Sequence, residues 1–163
     1  EAVDQQKGDE RGGYPTWLNE RCPILRTYDI SPRICKSSDT FRFAVEYQYD
    51  EPDDFYIAIA LHDIRRGGIS YDTGMKTFKM KDHGHHVAVF DIPLNIFNNG
   101  EFRLIASLRI PNPNDDQQTD AVGVAVDENA CTFVIQDERN RNYALLSDRA
   151  LTMTQVDDSI INI

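Results

Sequence analysis

The sequence predicts an all-β protein, an antiparallel sandwich, on three observations. Apolar and polar residues alternate over several runs, the period of a strand with one buried face. Turn chemistry separates those runs at Asp50-Glu51-Pro52-Asp53-Asp54, Gly67-Gly68 and Asn98-Asn99-Gly100. No segment before residue 137 carries a convincing helical period. Seven or eight strands spaced in this way, joined by turns, indicate two packed sheets.

Each element has its own justification. Residues 1–16 are polar, glycine-bearing and aperiodic, and read as a disordered linker. Trp17 and Leu18 open the sandwich domain, expected over 17–139, as a plug against its edge. Ile24 to Ile30 is a first strand stopped by Ser31-Pro32. Thr40 to Tyr49 places Phe41, Phe43, Val45, Tyr47 and Tyr49 on one face. Phe55 to Asp63 does the same with Phe55, Ile57, Ile59 and Leu61. Ile69 to Asp72 follows the glycine turn, Thr73 to Gly84 is polar and irregular, and Val87 to Ile92 is the next strand. Phe102, Leu104, Ala106, Leu108 and Ile110 mark another, and Ala130 to Gln136 a last one centred on Phe133 and Ile135. In the tail, 140–163, Tyr143 to Leu151 reads as a short helix, and Leu151–Thr154 and Ile160–Ile163 as edge strands. An apolar terminal strand does not stand alone; it caps its own sheet or pairs with a second copy, making the chain a homodimer.

Composition narrows the partners. The chain has 163 residues, 40% hydrophobic and 27% charged, enough for one domain with a real core. A net charge of −10 argues against nucleic acid and anionic membranes, which are held by surplus Lys and Arg. It suits a neutral partner such as a glycan, although solubility alone also accounts for it. Three cysteines without CxxC spacing make neither a zinc site nor a disulfide framework and point to a reducing compartment. No apolar run approaches the ~20 residues of a membrane span. The first residue is Glu rather than Met, so the chain is expected to be cut from a longer protein.

Catalytic signatures are missing: the sequence has no GxSxG, HExxH, P-loop or GxGxxG. No catalytic residue, metal or cofactor is therefore assigned. Asp82-His83-Gly84-His85-His86 gathers three imidazoles, but the spacing places no carboxylate or cysteine beside them, and it reads as a solvated turn entering a strand. Asn112, Asn114, Asp115, Asp116 and Asp120 make an oxygen-rich loop without EF-hand order, read as an acidic hairpin loop. Arg33 and Lys36 beside Cys35 would lower its pKa, yet a partly buried structural cysteine is the better reading. What remains is a surface. By strand parity, Tyr56, Ala58, Ala60 and His62 face outward beside Arg103, Ile105, Ser107 and Arg109, with Thr132, Val134 and Gln136 next to them. Small residues in the middle leave a shallow trough with polar groups around it. Tyr56, His62, Arg103, Ser107, Arg109 and Gln136 are the candidate carbohydrate-binding residues, able to stack on a sugar ring and bind its hydroxyls. The alternative is an ordinary solvated face, or one covered by a partner subunit.

The order of these motifs resembles one family. Ile57-Ala58-Ile59-Ala60-Leu61-His62-Asp63, followed by Gly67-Gly68-Ile69-Ser70 and Thr73, is similar to a "strand, Asp, Gly, strand, Thr" segment. Ile92-Pro93-Leu94 with Asn99-Gly100-Glu101-Phe102-Arg103-Leu104, and Ala130-Cys131-Thr132-Phe133-Val134-Ile135, complete the pattern over roughly residues 24–137. The chain thus resembles the C-terminal carbohydrate-binding domain of the Wzt-type ATPase subunit of O-antigen polysaccharide ABC exporters. The doubled Arg65-Arg66 and the HGHH turn depart from that pattern. The resemblance implies an immunoglobulin-like antiparallel β-sandwich of seven to nine strands. It also implies a dimeric, cytoplasmic, non-catalytic module, peripheral to the inner membrane through the transporter's transmembrane subunit. Its ligand would be the end-modified terminus of a lipid-linked O-antigen glycan.

Overall fold

The computed structural model describes residues 18–112, 114, 121–127, 130–137 and 153–156. The expected linker, the Trp17 plug, most of the acidic loop and nearly all of the 140–163 tail, with its helix and terminal strand, lie outside the described residues. The described chain is all β, with no helix. Its strands are β1 (Ile24–Asp29), β2 (Ile34–Cys35), β3 (Thr40–Tyr49), β4 (Tyr56–Asp63), β5 (Ile69–Asp72), β6 (Phe78–Lys79), β7 (Gly84–Pro93), β8 (Gly100–Pro111), β9 (Ala121–Asp127), β10 (Thr132–Ile135) and β11 (Thr154–Val156).

They form two sheets, β1-β3-β7-β11 and β2-β10-β8-β4-β5, with β6 paired to β4 and β9 to β8. This places A, B and E of an immunoglobulin sandwich (β1, β3, β7) opposite G, F and C (β10, β8, β4), the order that defines that fold. One pair departs from the expected antiparallel rule. The chain changes sheets at Ser31-Pro32, and β2 then joins β10 in parallel, Val134 opposite Ile34. β11 pairs with Val89–Asp91 of β7 and is the edge strand of its sheet.

Two local features go beyond what the strand pattern showed. Ala121–Asp127 is a strand, although Val122-Gly123-Val124-Ala125-Val126 shows no apolar–polar alternation. A bulge where β8 passes from Leu108 to Arg109 breaks the parity, and Val124 and Ala125 are both fully buried. The turn expected at Asn98-Asn99-Gly100 uses no positive-φ glycine. Gly100 begins β8 and is absent from the positive-φ glycines, which are Gly67, Gly68, Gly74 and Gly84. Position 100 is crowded, since an added Cβ would lie 3.0 Å from Arg66 Nη1 and 3.2 Å from the Phe102 ring. Arg66 is the tie between turns: Nη1 donates to buried Asp63 at 3.0 Å, and Nη2 donates to the Asn99 carbonyl at 2.9 Å.

The core is an aromatic spine. Phe41 of β3 stacks on Phe133 of β10 with centroids 4.6 Å apart, joining the two sheets, and Phe133 stacks on Phe102 at 5.5 Å. Phe43 and Phe90 continue it across β3 and β7 at 5.5 Å. Phe41, Phe102 and Phe133 are fully buried. Cys22, Cys35 and Cys131 are free and buried in the same core. Truncating Phe133 to alanine removes the ring that both sheets share. It is expected to cost about 3–5 kcal/mol, read as a fall in the urea midpoint at unchanged slope.

Candidate functional site

The site is a consequence of one register. Strands β4 and β8 pair without a slip from Tyr56–Arg109 through Ala58–Ser107, Ala60–Ile105 and His62–Arg103 to Asp63–Phe102. Leu61 and Leu104 are fully buried on the inner side, so the four alternate pairs from Tyr56–Arg109 to His62–Arg103 form one outward row. Two alanines in the middle of that row leave a groove. Ala58, Ala60, Ile105, Ser107 and Arg109 line it, joined by Asp72, Gly74, Met75 and Val126, which the sequence reading did not single out. Its volume is about 70 Å³, far below the 300–1,000 Å³ of an enclosing ligand pocket, so it works as an open trough.

Its two ends are polar and held in place. Arg109 donates from Nε to the Ser107 hydroxyl and from Nη1 to the Ala121 carbonyl, both at 3.1 Å. Two of its three nitrogens are thereby pinned, which fixes the guanidinium before any ligand arrives. Asp72 closes the other edge, paired with Ala60, and its Oδ1 accepts the Gly74 amide at 2.6 Å. The wall beyond it is laced to β4. The Thr73 hydroxyl accepts the Ile59 amide at 3.0 Å, and the Thr73 amide donates to the Ile59 carbonyl at 2.9 Å. Thr77 donates to the Thr73 carbonyl. Gly74 turns at φ +87°, a conformation that side chains rarely adopt.

The six candidates do not converge. Ser107 and Arg109 share the trough. Tyr56 lies beside Arg109 in register, but its ring faces the Lys76 ammonium, 5.7 Å from the centroid, and it does not line the groove. His62 and Arg103 form the next outward pair beyond Ala60–Ile105, with Thr132 opposite Arg103 on the far side. His62 is 7% exposed and its Nδ1 has no hydrogen-bond partner. Burial first, and the nearby Arg103 charge second, lower its pKa, against an opposing pull from Asp63. Gln136 is exposed and remote. It follows Ile135, which pairs with Gly100, and Arg109 stands about 30 Å further along β8 at the usual strand rise. Parity gave Gln136 an outward face but no position along it. The signal for Asp72 was available in principle, since the carboxylate that ends β5 must neighbour the strand that β5 pairs with.

The histidine cluster goes to separate partners. His83 Nδ1 lies 2.6 Å from the Glu51 carbonyl, His85 Nε2 lies 2.6 Å from Glu46, and His86 packs near the Tyr47 ring. His85 and His86 belong to β7, which starts at Gly84, rather than to a turn. Among the described residues no three His, Cys, Asp or Glu side chains group as a metal set. Cys35 is corrected in sign: burial, then the charge of Asp39, raises its pKa. Burial pushes Cys22 to about 11 and Cys131 to about 12. A larger cleft of about 380 Å³ opens between the Lys79–Asp82 segment and Gln155–Val156 of β11. Its lysines are surface groups, Lys79 already paired with Asp54 at 3.2 Å, and no buried polar side chain lines it other than Tyr47, whose hydroxyl donates to the Asp82 carbonyl.

No protein-family model matches the sequence, and no curated protein matches it. Among solved structures it is similar to the CARDB domain of a Pyrococcus furiosus protein, crystallised in complex with di-metal ions. Identity is 14%, the match covers 78% of this chain and 95% of that one, and the TM-score is 0.34. So loose a superposition carries no argument, and the fold assignment rests on the sheet order.

His62 makes a pH prediction. Its folded pKa lies below the ordinary 6.5, so the unfolded chain takes up the proton first as pH falls. The stability contributed by neutral His62 is complete above about 6.5 and is lost through the window beneath it. Replacing His62 with Gln is expected to flatten the decline in urea-unfolding free energy between roughly pH 7 and pH 5; an unchanged slope contradicts it.

Proposed function

We propose that this sandwich is a non-catalytic carbohydrate-binding module whose ligand lies along the β4–β8 trough. One observation carries the reading. An aliphatic floor, Ala58, Ala60 and Ile105, runs between a pinned guanidinium, Arg109, and a carboxylate, Asp72. A sugar ring has the matching chemistry, an apolar C–H face with hydroxyls at its rim that both donate and accept. The expected stacking on Tyr56 gives way to packing on this aliphatic floor, because Lys76 covers the Tyr56 ring. Asp72 is the single carboxylate among the residues that line the trough, one short of the pair that glycoside hydrolysis uses.

The resemblance to the Wzt-type domains supports a more specific role. In that role the module reads the end-modified terminus of a lipid-linked O-antigen polysaccharide at the cytoplasmic face. It passes the completed chain to an ABC exporter, acting as a dimer. The rival is a structural sandwich whose outer face is a dimer interface, favoured by apolar Ile69 and Met75, each about two-fifths exposed at that face.

Calorimetric titration with O-antigen oligosaccharides, end-modified and unmodified, tests both levels. The export reading expects the end-modified form to bind and the unmodified form not; equal binding to both, or none, removes it. Replacing Ala58 with Phe fills the trough and is expected to weaken binding at least about tenfold, 1.4 kcal/mol, at an unchanged unfolding midpoint. If replacing Arg103 and Arg109 with Ala breaks a dimer in sedimentation and leaves glycan affinity intact, the rival stands.

A further inference from the structure

We infer that Asp72 is the specificity-determining residue of the trough and that it selects an uncharged sugar end over an anionic one. The inference rests on the glycan reading of the trough and goes beyond it by naming the ligand's charge class. The reason is the balance of donors and acceptors. An anionic cap, whether phosphate, sulfate or carboxylate, accepts hydrogen bonds and needs a site made of donors. A neutral ring offers hydroxyls, each needing an acceptor for its own hydrogen as well as a donor for its oxygen.

The trough supplies one of each at fixed positions. Asp72 makes no ion pair among the described residues, and its Oδ1 is oriented by the Gly74 amide at 2.6 Å, so it meets the ligand with acceptor capacity left over. Arg109 is not a free fork. Ser107 takes its Nε–H and Ala121 takes an Nη1–H, so the side-on pair of parallel donors that grips a phosphate or carboxylate is already broken. Lys76, the other nearby cation, is held over the Tyr56 ring and does not line the trough. The chain's net charge of −10 adds a general repulsion for anions. An anionic end placed here therefore meets a carboxylate and a guanidinium whose side-on fork is already occupied, whereas a hydroxylated end meets an acceptor and a donor across an apolar floor.

The test uses the whole chain and a printed array of oligosaccharides. Each is present twice, once with a neutral, O-methylated non-reducing end and once with that end phosphorylated. The native protein is expected to retain neutral members and to bind their phosphorylated twins at least tenfold more weakly. Replacing Asp72 with Asn keeps an oxygen for the Gly74 amide, so the turn stands. It is expected to narrow that preference to within threefold, and Asp72→Lys to reverse it. Tighter native binding of the phosphorylated twins, or a preference unchanged in Asp72→Asn at a native unfolding midpoint, overturns the inference and leaves the glycan reading standing. Retention of no member of any pair overturns the glycan reading and this inference together.

Discussion

The structure depends on the unslipped register between β4 and β8. The eight paired positions from Tyr56–Arg109 to Asp63–Phe102 decide which side chains enter the sandwich and which face outward. A slip of β4 by one residue would put Ala58 and Ala60 into the core and expel Ile57 and Ile59. The register is protected from inside by full burial of Ile57, Leu61, Leu104 and Leu108. It is protected at one end by Arg66, which ties the β4–β5 turn at Asp63 to the start of β8 at Asn99. The aromatic contact of Phe41 with Phe133 then locks the other sheet onto this pair.

The same register makes the trough a rigid feature. Its floor is backbone and short side chains, which have little rotamer entropy to lose. Its polar ends are immobilised before binding, Arg109 by Ser107 and Ala121, and Asp72 by Gly74. Weak contacts over an open groove gain most when none of them must be ordered on binding. The rest of the fold is quieter chemically: the cysteines are buried with thiol pKa values raised, and His83 and His85 are satisfied locally.

Strand alternation made most of the fold legible. Thr40–Tyr49 and Ile69–Asp72 match their strands to the residue, because period-two patterning and flanking turn residues agree there. β9 was hidden because a bulge cancels the alternation that would reveal it, and two-residue edges such as β2 and β6 carry no pattern at all. For the site, parity assigned the outward face but not distances within it. It therefore grouped Gln136 with Arg109 across the length of β8. It also missed Asp72, Gly74 and Met75, which reach the trough through the β4–β5 pairing and the turn that follows it, a tertiary relation that no local pattern encodes. Even a correct face leaves the state of a residue open: the Tyr56 ring was taken as free, and Lys76 lies over it.

The central claim is that the β4–β8 trough, and not the larger cleft beside β11, receives a sugar. Backbone amide shifts in a heteronuclear NMR titration with a neutral oligosaccharide address it most directly. The account predicts saturable shifts clustered at Ala58, Ala60, Asp72, Gly74, Ser107 and Arg109, with Lys81, Asp82 and Gln155 unmoved. Shifts confined to Lys79–Asp82 and Gln155–Val156, with the trough silent at saturation, would contradict it.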